Sequence, residues 1–81
     1  MSRNIVAIAL IAPFLVAADI ETAQGLLVQG DFVAAQREFQ QITEDTPSLP
    51  AGWIGLARSY AGLGRCQEAV QTFADWRHAN G

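Results

Sequence analysis

Trp53-Ile54-Gly55-Leu56-Ala57-Arg58-Ser59-Tyr60, followed by Gly64, Ala69 and Phe73, is the stretch whose spacing decides the fold. A shift of 34 residues toward the N-terminus lays Gly64 on Gly30, Ala69 on Ala35, Phe73 on Phe39, Ala57 on Ala23 and Tyr60 on Leu26. Several independent matches at one period are hard to obtain by chance. Self-similarity at a few tens of residues marks a chain built from stacked supersecondary units. The pattern predicts two helix-turn-helix units.

Working outward from that stretch, each unit shows its own start and stop signals. Asp19 can cap a helix that begins at Ile20, and Glu21 suits its positive end. Ile20, Ala23, Leu26 and Leu27 fall at helical spacing. Gly30 can take the left-handed conformation that ends a helix, and Asp31 can cap the next one. Phe32, Ala35, Phe39 and Ile42 recur at threes and fours on a second amphipathic helix. Thr46-Pro47-Ser48-Leu49-Pro50 stops it, because the residue before a proline disfavours the helical region while proline itself suits a first turn. A third helix is expected over about residues 51–61, a turn at Gly62-Leu63-Gly64, and a fourth helix over about residues 65–78. Trp53, Leu56 and Tyr60 share one stripe of the third helix. Ala69, Val70, Phe73 and Trp76 form the expected inner side of the fourth, and Phe39 and Phe73 are expected to fill the gaps between neighbouring helices.

The spacing of Trp53, Leu56, Ala57, Tyr60, Ala69 and Phe73 resembles that of the tetratricopeptide-repeat family, over roughly residues 17–78. The second repeat fits well. The first departs from the family at Asp19, where Trp is usual, and at Thr22, where Leu is usual. Cys66 stands at a usually aromatic position. The resemblance implies an all-α fold of two tetratricopeptide-like helix-turn-helix repeats, a four-helix solenoid fragment over residues 19–81, following an apolar N-terminal helix. It also implies peptide or protein binding. The family's concave face would show Ile20, Gln24, Leu27 and Val28 from one repeat, with Ile54, Arg58, Ala61 and Gly62 from the other.

Residues 1–18 read differently. A short polar start with Arg3 leads into 14 apolar residues, Ile5 to Ala18, that contain Pro13 and end in Val16-Ala17-Ala18. That is the layout of a secretory signal peptide, with cleavage expected after Ala18. The rival reading is a retained membrane anchor. Such a run makes a helix of roughly 21 Å, against a hydrocarbon core of about 30 Å, so an anchor would need help from its flanks. A buried helix of a soluble fold is the third reading, and the lack of a polar face speaks against it.

Composition narrows the functions. Eighty-one residues hold one small domain, and the roughly 60 that follow the apolar segment would bury only about 60% of their unfolded surface. The net charge is −3, and the five basic residues are scattered, so nucleic acid is not an expected partner. A single cysteine rules out an internal disulfide. His78 near a helix end reads as a solvated residue, and Cys66 as a small buried apolar one. No cofactor, metal site or catalytic set is expected. Arg65 and Glu68 look like an ordinary exposed pair.

The expected function is therefore a non-catalytic scaffolding module that binds another protein or peptide, or a second copy as a homodimer. It would be exported (periplasmic or extracellular), or anchored with the repeats on the non-cytoplasmic side. The alternative is a permanent accessory subunit of a membrane complex, with residues 5–18 kept as a transmembrane or interfacial helix. A redox or hydrolytic role for Cys66 or His78 is the enzymatic alternative. Stacked repeats bury their apolar faces on neighbours, and terminal ones need a polar cap. The last helix carries Phe73 and Trp76 with no further helix to cover them, so Trp76 should be partly exposed and Phe73 and Trp76 should join the partner-binding set.

Overall fold

The computed structural model describes residues 19–81, and the signal-peptide or anchor segment 1–18 lies outside the described residues. Four helices and no strand occur among them: α1 (Ile20–Gln29), α2 (Phe32–Asp45), α3 (Pro50–Gly62) and α4 (Cys66–Asn80). None of these helices is long and apolar enough to cross a membrane. Asp19 is extended, and its carboxylate accepts from the Glu21 amide at 3.1 Å, satisfying one of the orphan donors of the first turn. Asp31 does the same for α2 through the Ala34 amide at 3.3 Å. Pro50 opens α3, where its missing N–H would have no partner anyway.

The turns inside the two hairpins, α1–α2 and α3–α4, share one pattern of backbone hydrogen bonds. After α1, the Gly30 amide donates to Leu27 O at 3.0 Å and the Asp31 amide to Leu26 O at 2.9 Å. After α3, the Gly64 amide donates to Ala61 O at 3.0 Å and the Arg65 amide to Tyr60 O at 2.8 Å. Each acceptor and each donor is displaced by 34 residues. The paired bonds form the helix-ending motif that closes over a left-handed residue, and both glycines have positive φ, 81° at Gly30 and 77° at Gly64. The period read from the sequence is thus also a period of the backbone.

Each helix packs on the next in the chain, and α3 additionally touches α1, so α3 lies in the groove between α1 and α2. The buried core is Ala23, Ala35, Phe39, Ile42 and Leu56, with Ile20, Leu26, Leu27, Leu49 and Tyr60 packed around it. Glycine lets α3 approach this closely. A Cβ on Gly55 would stand 2.1 Å from the Phe39 ring, and one on Gly52 would stand 2.8 Å from Ile42 Cγ2. Small residues where helices cross leave room for the large ones opposite. The hydroxyls of Ser59 and Thr72 are buried but donate to Gly55 O and Glu68 O, each at 2.8 Å, within their own helices. No buried side-chain polar atom lacks a partner among the described residues.

Three expectations about burial fail. Phe73 does not fill a gap: it is 52% exposed, whereas Phe39 is 0% exposed. Val70 is 70% exposed rather than on an inner side, and Cys66 is exposed rather than buried. The cause is the same in each case. Phe39 is covered and Phe32 half-covered because α3 follows them, and among the described residues no helix follows α4 to do the same.

Candidate interaction groove

Among the described residues, nothing covers the groove between α3 and α4. Its lower part is walled by Pro50, Trp53, Ile54, Phe73 and Trp76, and it continues past Ile54 and Phe73 along Ala57, Arg58, Ala61 and Ala69. The indoles of Trp53 and Trp76 meet edge to face, with centroids 6.2 Å apart, a favoured aromatic geometry. The Trp53 ring is held from behind, and Asn80 ties the same loop carbonyl to the backbone of α4. Trp53 Nε1 donates to Pro47 O at 2.8 Å, and Asn80 Nδ2 donates to Pro47 O at 2.9 Å and to Trp76 O at 3.1 Å. The groove thus presents the Trp53–Trp76 indole pair, with Trp53 anchored, beside Phe73 and an Ile54 that is 45% exposed. Among the described residues, Arg58 is the one charged side chain lining it.

The sequence-predicted contact residues divide into groups. Gln24, Leu27, Ile54 and Arg58 line one shallow cleft on the face shared by α1 and α3, together with Phe39, Ala51 and Gly55. Ile54, Arg58, Phe73 and Trp76 line the α3–α4 groove, so Ile54 and Arg58 belong to both. Ile20 is half-buried against the core. Val28 is 89% exposed and lines neither cleft. Gly62 is not a concave-face position: it lies against the Phe32 ring, only 2.4 Å from a would-be Cβ. Trp53, on the same stripe as the core residue Leu56, is a half-buried wall of the groove.

The polar groups are spread out. Cys66 and His78 are both exposed at opposite ends of α4, twelve residues apart, or on the order of 18 Å at the helical rise. On the other side of α3, Glu44, Glu68 and Asp75 line a polar cleft, where Gln40 Nε2 donates to Glu44 at 3.2 Å and Gln71 Nε2 to Asp75 at 3.0 Å. Arg65 pairs with Glu68 at 3.5 Å, an exposed contact worth little. No group of three His, Cys, Asp or Glu that could hold a metal occurs among the described residues.

No family model matches this chain, and no curated protein or solved structure is significantly similar to it.

Proposed function

We propose that the chain is a non-catalytic interaction module: a pair of tetratricopeptide-like repeats that binds another protein through the α3–α4 groove, exported or held at a membrane by residues 5–18. The observation that carries this reading is the contrast between two equivalent grooves. The one between α1 and α2 is filled by α3, and its Phe39 is fully covered. The one between α3 and α4 has exposed Ile54 and Phe73 and half-buried Trp53 and Trp76, with no helix over it among the described residues. Contiguous exposed apolar surface of this kind, walled by aromatics, marks a binding site. The exposed, dispersed Cys66 and His78 favour binding over chemistry.

Native mass spectrometry of the C-terminally tagged chain, purified gently from its own cells with membranes included, tests the proposal. The expected result is one assembly of defined stoichiometry that an Ile54→Glu, Phe73→Glu double variant no longer forms while keeping its helical circular dichroism. A folded double variant in the same assembly would refute the groove as the interface. The apolar run Ile5 to Ala18 favours a second reading, a permanent accessory subunit of a membrane complex. The same spectrum separates the two: a subunit mass beginning at Asp19 means export, and one retaining residues 5–18 within a membrane assembly means an anchor.

A further inference from the structure

Resting on that reading, we infer that the groove's occupant is an α-helix of a different protein that presents small residues at two positions three apart, a large aliphatic next to the second, and a carboxylate toward Arg58. The molecule supplies the template. The groove between α1 and α2 is lined by Ile20, Ala23, Phe39 and Ile42, and its occupant α3 meets it with Gly52 on Ile42, Gly55 on Phe39 and Leu56 buried beside them. The period of 34 converts that lining into Ile54, Ala57, Phe73 and Trp76, the walls of the open groove. A ring at Phe73 with Phe39's placement admits a helix backbone only where the facing residue has almost no side chain. The larger indole at Trp76, where the first groove has Ile42, tightens the requirement at the other position.

The same rule excludes a second copy as a continuation of the stack. The helix of another copy that would enter the groove is α1, since α3 is already buried. At the position of Gly55, α1 carries Glu21, and at that of Leu56 it carries Thr22. Docking would press a carboxylate onto the Phe73 ring, and burying an unpaired charge is strongly unfavourable.

Charge fixes the rim. Gln24 and Arg58 are displaced by 34 residues and line one cleft side by side, so the residue at that position of a third helix would stand beside Arg58 in turn. Arg58 is exposed and has no carboxylate in ion-pair range among the described residues. An acidic residue there meets a free guanidinium.

The probe is a synthetic peptide copying residues 49–63 with Arg58→Glu, stapled on its outward face to hold a helix, titrated into the full chain by fluorescence anisotropy. Saturable binding at one peptide per chain is expected. A peptide carrying Gly55→Leu should bind about tenfold more weakly or worse, and one keeping Arg58 roughly threefold to tenfold more weakly. A Phe73→Glu chain should lose binding by about tenfold or more, which separates the open groove from exchange with the chain's own α3. No saturable binding, or equal affinity for the Gly55→Leu peptide, would overturn the inference. So would a chain that dimerises at assay concentration through Phe73, because the occupant would then be a second copy. A native assembly that depends on Phe73 while the peptide fails its selectivity refutes this inference and leaves the interaction module standing.

Discussion

Gly55 and Gly25 show how differently one residue type can be used. Both lie inside helices with ordinary helical φ. A methyl group at Gly55 would collide with the Phe39 ring, whereas one at Gly25 would meet nothing within 4 Å. Gly55→Ala should therefore destabilise the chain by about 1–3 kcal/mol through overpacking. Gly25→Ala should stabilise it by roughly 0.5–1 kcal/mol, because alanine restricts the unfolded chain and favours the helix. Urea denaturation of the two variants reads both, and like signs would contradict the packing described for α3. Glycine type alone shows a site of close approach or a flexible position, and only the facing residue tells which.

The caps of α2 and α4 allow a matched comparison at the scale of the element. Asp31 and Arg65 occupy the same position in their repeats, since 31 and 65 differ by the period of 34. Asp31 accepts from a first-turn amide, and Arg65 makes no capping bond. Asp31→Ala should cost about 1 kcal/mol and Arg65→Ala no more than about 0.5 kcal/mol, the worth of its exposed pair with Glu68. Thermal melts of the two variants check the difference, and equal losses would mean that the Asp31 cap contributes nothing.

The elements and their turns were legible in the sequence because Asp, Gly and Pro impose local backbone conformations that need no tertiary partner. α3 starts at Pro50 and α4 ends at Asn80, within two residues of expectation. Burial was less legible. Helical spacing identifies which residues share a face, but not whether another element covers it. Spacing alone places Cys66 and Val70 inside and Phe73 between helices, and all three are exposed, with no helix beyond α4 packed on them among the described residues. For Val70 the period itself held a warning, since its counterpart Gln36 is polar. Of the expected binding residues, Ile54, Arg58, Phe73 and Trp76 converge on one groove, whereas Val28 and Ile20 stand apart from it. Trp53 belongs to the groove but was hidden in a stripe shared with core residues.

At the scale of the whole molecule, two hairpins make one covered groove and, among the described residues, one open groove, and two such repeats by themselves are marginal. An occupant that binds only the folded state adds stability by mass action. The central claim is that Phe39 and Phe73 hold the same place in two repeats and differ only in their cover. Equilibrium unfolding of Phe39→Ala and Phe73→Ala in the full chain, with sucrose present to keep the weaker variant folded, tests it most directly. Truncating the covered ring should remove about 3–5 kcal/mol, and truncating the open one about 1 kcal/mol or less. Equal and large losses would contradict the account, because the second groove would then already be filled in the free protein.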